Sequence, residues 1–174
     1  MLLKEKGRMK ILRQPLIAGN WKMHKTTAEA WSYIETWKGL SLNPEAEVLL
    51  LVPYTCLHVL QKTGIKFGAQ NLFWEMNGAF TGEISAPMLV DLGCEYVLVG
   101  HSERRQILKE NDDTICLKIK AAISGGLKPV LCVGETLEER NNGQATKIVG
   151  RQLEAGLKDI PFTPDLVIAY EPVW

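Results

Sequence analysis

The sequence predicts an α/β protein built on a parallel β-sheet with helices packed over it. Three observations carry that prediction. Six apolar runs rich in Val, Ile and Leu begin near residues 16, 47, 66, 96, 129 and 166. They are continuous rather than alternating, as strands buried on both faces are. Helical patterns lie between them, at roughly 20–37 residues per repeat, the length of one βα unit.

The elements follow in order. Leu16–Ala18 opens a first buried strand that passes into the polar Asn20-Trp21-Lys22. Thr26 with Glu29 makes a capping box for a helix carried by Ala30, Ile34 and Trp37. Val48–Val52 is a second strand stopped by Pro53, with a short helix around Cys56–Lys62, and Lys66–Gln70 is a third. A glycine-punctuated loop from Asn71 to Ser85 is long enough to expect a function or a contact of its own. A short helix, Pro87–Leu92, feeds the fourth strand, Tyr96–Val99. Gly100-His101 then leads into a helix expected over Ser102–Glu110. Ile115, Ile119 and Ala122 form one apolar helical face before the fifth strand, Pro129–Val133. Thr136 with Glu139 is a second capping box, and Val149, Leu153 and Leu157 carry the helix expected after it. Leu166–Tyr170 is the sixth strand, followed by Glu171-Pro172-Val173-Trp174.

Periodicity leaves two architectures open: a doubly wound open sheet, complete at six strands, or a barrel lacking its last two units. A dinucleotide-binding sheet should carry Gly-x-Gly-x-x-Gly after its first strand. Asn20-Trp21-Lys22 stands there instead.

Composition narrows the function classes. The 46 % hydrophobic and 23 % charged fractions are those of a globular protein. Zero net charge argues against nucleic acid or an anionic membrane as a major partner. The first 15 residues hold five basic groups and one acid, Glu5, leaving 15 basic and 19 acidic groups in the body. That basic start lacks the apolar core of a secretory signal, and no run approaches the ~20 apolar residues of a membrane helix. A cytoplasmic protein is expected. Cys56, Cys94, Cys116 and Cys132 show no Cys-x-x-Cys pair and read as reduced packing residues. His24, His58 and His101 show no ligand spacing, so no metal is expected.

The strand ends deliver chemistry. Strand one supplies Asn20 and Lys22, strand three Gln70 and Asn71, strand four His101, strand five Glu135, and strand six Glu171. A barrel brings all such ends to one rim. A lysine there suits an anionic substrate group, and a carboxylate against an apolar wall becomes a stronger base. Cys132 has no histidine near it in sequence and reads as packing, not nucleophile.

Five motifs then coincide. Gly19-Asn20-Trp21-Lys22-Met23, Gly78-Ala79-Phe80-Thr81-Gly82-Glu83, Gly100-His101-Ser102-Glu103-Arg104-Arg105, Cys132-Val133-Gly134-Glu135-Thr136 and Ala169-Tyr170-Glu171-Pro172-Val173-Trp174 resemble, in order, the triosephosphate isomerase family, over about residues 15–174. The resemblance implies a TIM (βα)8 barrel, of which only strands 1–6 fall in this chain and the last two βα units are missing. Residues 15–174 would be that incomplete barrel domain, and residues 1–14 a flexible basic extension. The implied reaction is the interconversion of dihydroxyacetone phosphate and glyceraldehyde 3-phosphate through an enediolate, in glycolysis and gluconeogenesis, with no cofactor.

The resemblance also distributes roles. Glu171 is implied as general base, His101 as the electrophile that polarises the carbonyl, and Lys22 as catalytic and, with Asn20, in contact with substrate. Ser102 lies near the base and Glu103 beside the lysine as supporting residues. Thr81, Glu83 and Arg104 are implied at the interface of a homodimer, and Trp174 at the start of a lid over the substrate. Two other readings remain open: a catalytically inactive barrel fragment, and another phosphate-binding barrel enzyme.

Overall fold

The computed structural model describes residues 2–5, 8–11, 14–37, 39–40 and 43–174, with side chains from residue 14 onward. Six strands form one sheet: β1 (Leu16–Asn20), β2 (Glu47–Val52), β3 (Lys66–Ala69), β4 (Tyr96–Val99), β5 (Lys128–Val133) and β6 (Val167–Tyr170). Every neighbouring pair is parallel, and the spatial order equals the chain order. A doubly wound sheet reverses direction part-way across. This one never does, so the singly wound barrel arrangement is the one present, as an arc of six strands.

The two faces bury different clusters. Leu49, Leu51, Tyr96, Leu98, Val130 and Cys132 pack together on the inner face, with Leu16, Val167 and Ala169 against them. Their alternates, among them Leu50, Val52, Val97, Val99, Leu131 and Val133, point outward into the larger helix-covered core. Burial on both faces is why the runs read as continuous in the sequence. The end strands are less covered: Ile17 is 60 % and Ile168 42 % exposed.

Helices follow the strands: α1 (Thr27–Trp37), α2 (Leu57–Leu60) after a single 3-10 turn, α3 (Ala86–Asp91), α4 (Ser102–Gln106), α5 (Asp112–Ser124), α6 (Leu137–Asn141) and α7 (Ala145–Gly156). Both capping boxes form. Thr26 N donates to Glu29 Oε2 at 2.7 Å, and Thr136 N to Glu139 Oε2 at 2.8 Å.

Two helices differ from expectation. The helix expected over Ser102–Glu110 stops at Gln106, because the chain turns back through a left-handed Lys109 (φ 57°) and Glu110 N bonds Arg104 O. That reversal brings the Glu110 carboxylate to Arg104 and to Lys118 of the α5 helix. The helix expected after Thr136 is broken into α6 and α7 at Gly143 (φ 69°), which glycine adopts without steric cost. The stripe α7 buries most deeply is Ile148, Gln152 and Gly156, one residue out of phase with the predicted Val149, Leu153 and Leu157, which are partly buried.

Ahead of the barrel, Leu2–Glu5 and Arg8–Ile11 pair antiparallel in a separate two-stranded ladder, Leu2 opposite Ile11. Such a ladder is marginal on its own. The segment expected to be loose also includes residues 1, 6, 7, 12 and 13, which lie outside the described residues.

Candidate active site

The carboxyl ends of the strands converge, and the site can be built one strand at a time. At the end of β1, Lys22 has a left-handed backbone (φ 51°). For a residue with a Cβ that conformation is held only by its surroundings. Here Lys22 N donates to Asn20 Oδ1 at 2.9 Å, and Gln70 Nε2, from the end of β3, reaches Asn20 Oδ1 (3.1 Å), Lys22 O (2.9 Å) and Leu51 O (3.2 Å). Asn20 and Gln70 thus fix the Lys22 main chain from both sides. Its ammonium lies 3.0 Å from Glu103 Oε1, and that carboxylate holds the lysine above the ordinary ammonium pKa.

At the end of β4, His101 is buried (5 % exposed) and is itself the N-cap of α4. The Glu103 amide donates to its Nδ1 at 3.3 Å. With Nδ1 accepting this backbone N–H, Nε2 is the ring nitrogen left to donate. Glu103 Oε2 also lies 3.4 Å from Nδ1, while its Oε1 faces Lys22. Arg105 fixes the strand that carries His101: Nε donates to Gly100 O at 2.7 Å, Nη2 to Cys132 O at 3.2 Å, and Nη1 to Asp112 at 2.5 Å.

At the end of β6, Glu171 Oε2 lies 3.5 Å from His101 Nε2. The apolar wall expected around this carboxylate covers it only in part; its side chain is 53 % exposed. The main chain is tightly held instead. Glu171 N donates to Val133 O (2.9 Å) and Val173 N to Glu135 O (3.0 Å), so the β5–β6 ladder continues past the strand. A Cβ on Gly134 would overlap the Glu171 carbonyl, so only glycine lets the two chains meet. Ser102 and Glu171 border the same small cleft.

Beside Glu171, Glu135 is closed off from solvent. Tyr170 OH lies 3.0 Å from both its oxygens, and Arg140 Nη1 donates at 2.9 Å while stacking over Trp174. Burial pushes the Glu135 pKa up, but its own backbone amide, Arg140, Tyr170 and Trp174 outweigh that and hold it low.

A cavity of about 570 Å³ opens in front of these strand ends, with Asn20, Lys22, His101 and Glu103 on its wall. Apolar side chains rim it: Met23, Ile107 and Leu108 are 94 %, 72 % and 61 % exposed. Thr81 and Glu83 are exposed on a loop whose neck is closed by Phe73 N donating to Ile84 O. Arg104 faces Glu110 of its own chain (3.3 Å), where the buried Lys118 also pairs with Glu110 and donates to Asn71 Oδ1 at 2.7 Å. Cys132 sits in the inner core, where burial raises its thiol pKa to about 12. It packs and is not a thiolate. All four cysteines are free and buried.

The structure therefore brings Asn20, Lys22, His101, Glu103 and Glu171 together, while Thr81 and Glu83 are on the loop, with Glu83 within electrostatic reach of Tyr54 and Lys118. Sequence reasoning missed Arg105, Lys118 and Gln152. The last carries a readable signal, a polar residue on the buried Ile148–Gly156 stripe of a helix.

The family described as triosephosphate isomerase matches residues 15–174. The chain is 49 % identical over 169 residues to the triosephosphate isomerase of Moorella thermoacetica, covering 94 % of this chain and 68 % of that protein. It is 50 % identical over 165 residues to that of Aquifex aeolicus (91 % and 67 %), and 47 % identical over 169 residues to that of Trichormus variabilis (94 % and 70 %). With the sequential strand order and the shared rim of strand ends behind it, this match places the chain in the triosephosphate isomerase family.

Proposed function

We propose that this protein interconverts dihydroxyacetone phosphate and glyceraldehyde 3-phosphate, with Glu171 as base and His101 as electrophile. The observation that supports this most is the 3.5 Å approach of Glu171 Oε2 to His101 Nε2, on a ring whose Nδ1 already accepts the Glu103 amide. With substrate seated against both groups, Glu171 takes the proton from the carbon beside the carbonyl. The Nε2–H donates to the carbonyl oxygen as it becomes an enediolate. The hydroxyl proton then passes to the former carbonyl oxygen through His101 Nε2, and return of the carboxyl proton to the neighbouring carbon completes the isomerisation. A positioned base contributes about 10²–10⁴-fold, and a donor aimed at a developing oxyanion roughly 3–4 kcal/mol.

Lys22 supplies positive charge to the substrate phosphate, and Asn20 holds Lys22 in its strained backbone and adds a polar contact. Glu103 keeps the ammonium charged and in place, and Ser102 supports the cleft beside Glu171. The chemistry moves only protons, so no cofactor is invoked.

A homodimer goes with this reading. The Thr81 loop presents Phe80, 43 % exposed, and the cavity beside Arg104 has an apolar rim that a second copy's loop could cover. Thr81, Glu83 and Arg104 would then lie at the interface. A cytoplasmic location suits the pathway; no helix among the described residues is long and apolar enough to cross a membrane.

A coupled assay supplied with either triose phosphate tests the proposal. Turnover that falls by at least about 10²-fold in Glu171→Gln supports it; turnover unchanged by that substitution removes Glu171 from the mechanism.

A further inference from the structure

We propose that Gln152 is the residue that positions the base, acting on Glu171 through the main chain of Gly134. The inference rests on the reading of Glu171 given above.

Gln152 sits at the centre of the buried stripe of α7 and is 6 % exposed. Its amide spends both functions on one residue: Gly134 N donates to Oε1 at 2.9 Å, and Nε2 donates to Gly134 O at 3.1 Å. A side-chain amide used this way stands in for a peptide group of a neighbouring strand. Gly134 has need of one. The carbonyls of Val133 and Glu135, on either side of it, point to the chain beyond β6 and accept from Glu171 N and Val173 N. Gly134's own N–H and C=O therefore point the other way, past the end of β4, where no strand continues. Without Gln152 both groups would be buried and unpaired, which is costly.

The link onward to Glu171 has no slack. The Glu171 carbonyl occupies the space a Cβ of Gly134 would need, and hydrogen bonds on both sides clamp the two chains together. A shift of Gly134 toward a new partner for its orphaned groups displaces Glu171 relative to His101. Proton transfer is sensitive to such shifts: about 1 Å of misplacement can cost about 10²-fold. Lys22 and Asn20 are held independently, by Gln70 on the far side of the cavity.

The test is steady-state kinetics per folded active site on the intact protein, comparing the parent with Gln152→Met and Gln152→Glu across pH. Gln152→Met keeps the volume and removes both hydrogen bonds. Its kcat should fall about 10- to 100-fold while KM stays within about two-fold, the signature of a lost transition-state arrangement. In Gln152→Glu, a protonated carboxyl can accept and donate as the amide does, whereas a carboxylate cannot donate to Gly134 O. Its kcat should therefore recover as pH falls, a limb the parent lacks. This second variant decides the matter if the methionine variant fails to fold. An active parent with kcat unchanged in Gln152→Met, or with no acid recovery in Gln152→Glu, overturns the inference alone. A parent with no isomerase activity overturns the reading of Glu171, and this inference with it.

Discussion

His101 Nε2 lies 3.5 Å from Glu171 Oε2, although the two residues end strands that are not neighbours in the sheet. β5 separates them and contributes the fixing elements: Cys132 O holds Arg105, Val133 O and Glu135 O hold the chain after β6, and Gly134 lets that chain approach. The base and the electrophile are thus registered against one common strand.

His101 has two separable duties, capping α4 through Nδ1 and donating through Nε2. Asparagine is a good N-cap but too short to reach where Nε2 sits. His101→Asn is expected to keep the thermal midpoint within a few degrees while kcat drops about 10²–10³-fold. Thermal unfolding beside the coupled assay checks both halves.

Lys22 owes its raised pKa first to Glu103. A raised ammonium pKa keeps the charge to higher pH, so removing the cause moves its loss to lower pH. In Glu103→Gln the alkaline rise in KM should begin earlier than in the parent, and Lys22→Met should raise KM at all pH values. A KM–pH profile that does not move in Glu103→Gln would break the link between the two residues.

Acid stability follows from two depressed carboxyls. Burial works against the Glu47 carboxylate, but Tyr96 OH at 2.6 Å and Lys66 at 3.3 Å more than compensate, leaving its pKa below the ordinary value; Glu135 is held low in the same direction. A folded-state pKa below the unfolded one contributes stability that is present above about pH 4.3 and lost as pH falls through the folded value. The unfolding midpoint should therefore decline below about pH 4.3, and decline less steeply in Glu47→Gln. Melting curves between pH 3 and 7 measure it.

The Lys118–Glu110 pair is buried on both sides, each side chain 4 % exposed, and burial pulls the lysine pKa down. Removing one partner strands the other. Lys118→Met and Glu110→Leu are each expected to destabilise by about 3–5 kcal/mol, with the double substitution costing less than their sum. A double-mutant cycle by urea unfolding decides.

Much of this was legible in the sequence, and the illegible parts have physical causes. The six strands announced themselves as continuous apolar runs because both faces are buried, but the runs alone could not distinguish a barrel from a doubly wound sheet. Strand order is a long-range property, and it came only from the motifs and then from the structure. Asn20, Lys22, His101 and Glu171 could be named as strand-end residues. Arg105 could not, since the contacts that fix the strand are with the backbone carbonyls of Gly100 and Cys132, which no sequence pattern marks; Gln152 shows only as a polar residue on a buried helical stripe. The exposure of Glu171 has a related cause: the preceding Tyr170 gives its hydroxyl to Glu135, and the carboxylate is left half in solvent.

The central claim is that Glu171 moves a proton on and off carbon, and isotope exchange reads that directly. Dihydroxyacetone phosphate incubated with the protein in heavy water should acquire deuterium at the carbon beside its carbonyl, followed by proton NMR. The account predicts that Glu171→Gln slows this exchange by at least about 10²-fold. Exchange that proceeds at the parent rate in Glu171→Gln would contradict it.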